Sequence, residues 1–332
     1  MRRGRVEIVT FASDVLRGNA AGDPHERRVP VYLPPAYDEH PERRFPVVVV
    51  LTGFTGRGRM LLNDNPWSPS LDERMDALIA SGCPETILVM PDCFTRFGGS
   101  QYVDSTATGR YETHLVRELV PWVDARYRTL GAREHRGIAG KSSGGFGAMR
   151  LGMRHPDVFG ALACHSGDML FEYCYQVDFP KACSVLQAAG GARRFLEGFE
   201  AKPQKGKDDF LALNILAMAA CYSPDASAEL GVALPFDLAT GLPRADVWAR
   251  WLAFDPLRLL PAHAEALRSL KLLYLDCGTK DEFHLHHGAR AFAAELERLR
   301  IAHRHEEFDD GHMNVPYRYD VSLPALARAL SP

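Results

Sequence analysis

The segment Arg136-Gly-Ile-Ala-Gly-Lys-Ser-Ser-Gly-Gly-Phe-Gly-Ala-Met149 constrains this chain more than any other. A short apolar strand runs into Gly140-Lys141-Ser142-Ser143-Gly144, and a helical pattern follows at once. A side chain carried on so sharp a strand-to-helix turn needs neighbours without Cβ atoms, which would otherwise collide. Gly140 and Gly144 meet that need, and Gly145 gives further room. The G-x-S-x-G turn lifts Ser142 Oγ above the sheet and aims the Ser143 N–H, at the helix start, toward any negative charge forming there. The letters Gly-Lys-Ser also belong to a phosphate loop, but that motif needs a glycine where His135 stands, which disfavours nucleotide binding.

Around this turn, short β-branched runs alternate with helical patterns, the mark of parallel βαβ construction. Strands are predicted over 6–11, 28–33, 46–52, 86–90, 136–139, 161–165, 271–276 and 303–308, and helices over 70–80, 111–127, 145–153, 286–300 and 323–330. The run Pro-Val-Val-Val-Val-Leu-Thr has no polar alternation, as a strand covered on both faces requires. The fold class is therefore α/β, with a mostly parallel central sheet flanked by helices. Residues 167–264 break the alternation with helical patches and turns, so the chain divides into a core of 1–166 and 265–332 and a helical insertion. Residues 209–221 are apolar almost all round, which implies burial, and Trp248 and Trp251 stand at i, i+3. Such an insertion serves either as a lid over one sheet edge or as added core or an oligomer contact.

With 39 Lys+Arg against 42 Asp+Glu, the net charge of −3 argues against a nucleic-acid partner. No stretch reaches the ~20 apolar residues of a membrane span. The N-terminus is basic but lacks the apolar run and cleavage site of a secretory signal. The seven cysteines are odd in number and form no CxxC pair, so reduced thiols in a cytoplasmic protein are expected, with neither a disulfide framework nor a zinc site.

A serine hydroxyl is a weak nucleophile that needs a base, and the base needs an orienting acid. After the insertion, a strand is followed by Gly278-Thr-Lys-Asp281; a later strand is followed by Asp310-Gly-His312. The order Ser142, Asp281, His312 results, each residue just past a strand, and such carboxyl-end loops open on one face of a parallel sheet. Asp276, Glu282 and Asp168 are competing acids. Gly53 and the Phe54 N–H, on the loop after the strand 46–52, are candidates for close approach and for a second oxyanion donor beside Ser143. Gln101 and Tyr102, after the fourth strand, and His165, at the end of the sixth, are candidate substrate contacts. The triplet His284, His286 and His287 lacks the i, i+4 pairing of a metal helix.

These residues make the chain resemble the esterase family of α/β-hydrolases that includes esterase D (S-formylglutathione hydrolase), enterochelin-esterase-like proteins, feruloyl esterases and the antigen 85 mycolyltransferases. The likeness runs from about Val29 to His312 through VYLPPAYD, LTGFTG, GGSQYVDS, GKSSGGFGAMRLGMRHPDVFG, GTKDEF and DDGHMN. By position, it implies Ser142 as nucleophile, Asp281 as acid, His312 as base, and the Phe54 and Ser143 amides as oxyanion hole. Thr52-Gly53 and Ser143 stand where many relatives have His-Gly or Asp-Gly and Met; main-chain donors tolerate both changes. The resemblance implies hydrolysis of a small-molecule carboxylic ester without metal or organic cofactor. Thioester hydrolysis of the S-formylglutathione kind and acyl transfer would use the same triad, and a homo-oligomer is compatible with it. A non-catalytic binding member of the fold would show a broken triad.

Overall fold

The computed structural model describes residues 3–332; Met1 and Arg2, which open the basic N-terminus, lie outside them. In chain order the strands are β1 (Arg5–Ala12), β2 (Glu26–Leu33), β3 (Val47–Leu51), β4 (Ile87–Val89), a ribbon of β5 (Asp104–Ser105) and β6 (Gly109–Arg110), then β7 (Arg136–Lys141), β8 (Ala161–His165), β9 (Leu272–Gly278) and β10 (Arg304–Phe308). Eight of them form one sheet in the order β1-β2-β4-β3-β7-β8-β9-β10. The pairs β1/β2 and β2/β4 are antiparallel and all later pairs are parallel. This is the α/β-hydrolase arrangement that the sequence predicts.

All five residues of β3 are buried, because both faces of the sheet are covered. Val47, Val49 and Leu51 join the apolar layer that holds Phe146 of the elbow helix Ser143–Arg154. Val48 and Val50 join the opposite layer, where Leu323, Leu326 and Leu330 of the C-terminal helix Tyr319–Leu330 pack. The helix Leu71–Ala80 starts where Glu73 Oε2 accepts the Ser70 N–H at 2.9 Å, half of a capping box that satisfies an orphan donor.

The helix predicted over 111–127 is not uniform. It consists of Tyr111–Thr113, a π-helical turn His114–Leu119 and Val120–Arg126. His114 is fully buried in that turn between the Phe11 and Tyr111 rings, and neither ring nitrogen has a hydrogen-bond partner among the described residues.

Between β8 and β9 lie the helices Phe179–Ala189, Ala192–Ala201, Lys207–Tyr222 and Ala245–Leu252. Their apolar faces do not form a core of their own. Leu186, Leu216, Tyr222 and Trp251 belong to the same contiguous cluster as Val49, Leu51 and Phe146 of the sheet layer. At ~1.5–3 kcal/mol for each fully buried large side chain, this segment supplies a substantial part of the apolar stabilisation on that face.

Candidate active site

The chemistry-bearing loops leave four neighbouring strands at one level. Lys141 of β7 pairs with His165 of β8, His165 with Asp276 of β9, and Asp276 with Glu306 of β10, so these residues form one row across the sheet. Ser142 is the next residue after that row on β7, while Asp281 and His312 lie in the loops that leave β9 and β10.

Ser142 has φ 58° and ψ −125°, a strained conformation for a residue with a Cβ. Its N–H donates to the His165 carbonyl at 2.9 Å and its carbonyl accepts the Phe146 N–H at 2.9 Å, which fixes the bend from both sides. The flanking glycines are compulsory. A Cβ on Gly140 would stand 2.3 Å from the Gly144 carbonyl oxygen, and one on Gly144 would stand 2.4 Å from that of Leu51. Ser142 Oγ makes no hydrogen bond among the described residues. Ser143 opens the elbow helix, where geometry leaves the first amides without intrahelical acceptors. The Phe54 N–H is likewise without an acceptor among the described residues.

Asp281 and His312 are brought together. His312 Nδ1 lies 2.7 Å from Asp281 Oδ2, and both side chains are buried. Asp281 Oδ1 accepts the Phe283 N–H at 2.9 Å, and Cys277 Sγ lies 3.6 Å from Oδ2. Burial would raise the Asp281 pKa, but the hydrogen bond and charge of His312 with the backbone donors outweigh it and hold the carboxyl below its ordinary value. Glu282 meets the His312 backbone instead of its ring: its Oε2 accepts the His312 N–H at 2.7 Å and so anchors the loop. The Phe283 ring meets the imidazole edge-on, with centroids 4.8 Å apart.

The other candidates separate. A cavity of about 10 Å³ beside the elbow is lined by Thr52, Gly53, Phe54, Gln101, Tyr102 and Ser143 among others. Gln101 and Tyr102 thus reach the elbow, but as buried residues rather than open loop contacts. Tyr102 donates to the Thr52 carbonyl at 2.6 Å and Gln101 Nε2 to Asp168 Oδ2 at 3.0 Å. Burial pushes the Asp168 carboxyl up, against the donors Tyr175 and Gln101. His165 does not line this cavity. Its side chain faces the C-terminal helix, with Nδ1 2.7 Å from Asp276 Oδ1 and Nε2 2.8 Å from Ser322 Oγ. The correction follows from strand alternation: Ala163 and Ala161, two and four residues earlier, belong to the same layer as the C-terminal helix.

Ser322, His165 and Asp276 therefore make a hydrogen-bonded Ser–His–Asp relay that the sequence reading missed. Asp276 also takes donors from Tyr274 at 2.8 Å and Arg318 at 2.8 Å. All three relay members are buried, which keeps a substrate carbonyl away from Ser322. Ser142 has the opposite environment: partial exposure, a helix start and an adjoining cavity. Among the described residues no group of three or more His, Cys, Asp or Glu side chains could hold a metal ion.

The model of the family described as "Putative esterase" matches residues 22–321. The chain belongs to this esterase family. Esterase Rv1288 of Mycobacterium tuberculosis is 37% identical over 82 residues, which are 24% of this chain and 18% of that protein. The chain thus matches less than a fifth of the length of that curated relative. An uncharacterized protein of Corynebacterium glutamicum, Cgl0967/cg1104, is 23% identical over 240 residues, or 67% of this chain and 54% of that one. Among solved structures, a ferulic acid esterase superposes with TM-score 0.64 at 20% identity and full coverage of both chains. An S-formylglutathione hydrolase from Agrobacterium tumefaciens does so with TM-score 0.60 at 16% identity, covering 100% of this chain and 97% of that one. Those structural likenesses establish the α/β-hydrolase fold, and family membership supports ester hydrolysis.

Proposed function

We propose that this esterase cleaves carboxylic esters of small molecules through an acyl-enzyme on Ser142. The observation that carries the reading is the buried Asp281–His312 hydrogen bond in the loops beside the strained Ser142 elbow. His312 Nε2 takes the Ser142 proton as Oγ attacks the acyl carbonyl, and the carbonyl electrons collect on an oxygen held by the Phe54 and Ser143 amides. Collapse breaks the ester C–O bond, and the same proton passes from His312 to the leaving alkoxide. Water then adds with its proton going to His312, and Ser142 is released with that proton as the acid departs. Asp281 holds the imidazole with Nδ1 as donor and favours the imidazolium formed at each attack. The Ser142–His312 hydrogen bond closes with substrate in place, as catalytic contacts commonly do. All seven cysteines are free and buried, in keeping with a cytoplasmic enzyme.

The test is labelling with a fluorophosphonate and mass-spectrometric location of the adduct. Modification at Ser142, abolished in His312→Ala, supports the reading. A folded protein that takes no adduct, or takes it at another serine, overturns it.

A further inference from the structure

We infer that Gln101 selects the acyl group, its side-chain carbonyl accepting a hydrogen bond from a donor on the carbon next to the ester carbonyl, so that esters of short α-hydroxy acids are the favoured class. This rests on Ser142 being the nucleophile, as proposed above.

Gln101 is 1% exposed. Its Nε2 lies 3.0 Å from Asp168 Oδ2, 3.0 Å from the Tyr175 hydroxyl and 3.0 Å from the Tyr222 hydroxyl. None of those three residues lines the cavity beside the elbow, whereas Gln101 does. At the other end of the same amide, Oε1 is buried and has no partner among the described residues. Chemistry fixes which end is which. Asp168 Oδ2 already accepts the Tyr175 O–H at 2.7 Å, and turning the amide over would press one acceptor oxygen against another.

A native fold seldom leaves a buried acceptor without a donor, and the exceptions sit where a ligand or reaction supplies one. The backbone here is also strained: Gln101 and Tyr102 have φ of 48° and 54°, left-handed values held in place by the Tyr102–Thr52 hydrogen bond. An oxyanion would be repelled by Oε1 and belongs with the Phe54 and Ser143 amides. What Oε1 suits is a donor, and the donor nearest an acyl carbonyl is a hydroxyl on the adjacent carbon. The cavity of about 10 Å³ admits one water-sized group and excludes a longer chain.

The experiment compares kcat/KM of the full chain on the 4-nitrophenyl esters of hydroxyacetic, fluoroacetic and acetic acids. Fluorine is close to a hydroxyl in size and withdraws electrons at least as strongly but offers no donor, so a preference for the hydroxy over the fluoro ester isolates the hydrogen bond. The expected ratio is roughly tenfold or more in favour of hydroxyacetate, falling toward one in Gln101→Met. A wild-type ratio near one, or a ratio unchanged in folded Gln101→Met, overturns the inference; should that variant fail to fold, the wild-type ratio decides. Labelling at Ser142 without turnover of any of the three esters overturns the inference alone. Absence of both turnover and label overturns the esterase reading beneath it.

Discussion

His312 Nδ1 and Asp281 Oδ2 stand 2.7 Å apart across 31 residues of chain, held by loops that leave adjacent parallel strands. Asp281→Asn would keep the shape but present the imidazole with a donor, favouring the wrong tautomer. We expect kcat to fall by roughly 10⁴. Ser142→Ala and His312→Ala should each cost on the order of 10⁶. Steady-state rates on an activated ester check all three, and a loss under tenfold in any of them would refute its assigned role.

The buried Ser322–His165–Asp276 relay gives a contrasting expectation. Ser322→Ala removes the acceptor and donor beside His165 Nε2, so stability should drop by about 1–3 kcal/mol. Fluorophosphonate labelling of Ser142 should persist at its wild-type rate. Denaturant titration and labelling kinetics on one preparation separate the two effects.

Gly144→Ala places a methyl 2.4 Å from the Leu51 carbonyl oxygen and 2.8 Å from that of Thr52. Backbone must move, at about 1–3 kcal/mol, and the part that moves carries Gly53 and Phe54. Displacing a reacting geometry by an ångström costs ~10²-fold in rate, so the variant should lose activity out of proportion to its stability. A melting curve and kcat measured together test this; wild-type kcat would contradict it.

Acid should weaken the fold before it reaches the carboxylates. Burial pulls the His114 pKa down to about 4, against the charge of Glu118 at 3.6 Å and with Arg27 acting in the same direction as burial. The unfolded chain protonates this group at about 6.5. The folded state therefore binds fewer protons between those values, and stability is full above about 6.5 and lost progressively down to about 4. The loss is roughly 3 kcal/mol from this residue. Urea titrations at pH 7, 5.5 and 4 should show it, and His114→Phe should flatten the upper part of the profile.

Glu112 is the next acid-sensitive group. It is buried against Arg150, and it also meets Arg154 Nε at 2.8 Å and His155 Nε2 at 2.8 Å. Burial would raise its pKa, but these partners drive it well below the usual range, so its contribution is present at neutral pH and lost only in stronger acid. Glu112→Gln leaves the Arg150 charge buried and should cost about 3–5 kcal/mol at pH 7, read by chemical denaturation.

The elements that the sequence made legible are those governed by short-range rules. The Val47–Leu51 run, the glycine-flanked elbow and the strand-then-loop positions of Asp281 and His312 each follow from local sterics or strand periodicity. His165 was misread because its position at a strand end is local, while the face it presents depends on register with β7 and β9. Gln101 and Tyr102 look like loop residues in sequence; Gln101 is held by Asp168, Tyr175 and Tyr222, residues 67 to 121 positions away, and Tyr102 by Thr52, 50 positions back. The π-helical turn at His114 has no signature in composition. Its His114 ring packs against Phe11 of β1, which the sequence alone does not bring near.

The segment 167–264 shares its interior with the sheet, and that limits how this family member can diversify. A detachable cover could be exchanged between relatives to alter substrate preference while the catalytic scaffold stayed whole. Here any graft would have to re-knit the joint interior of Leu51, Phe146, Tyr222 and Trp251, so new specificities would arise through co-ordinated replacements across both parts rather than by swapping one piece.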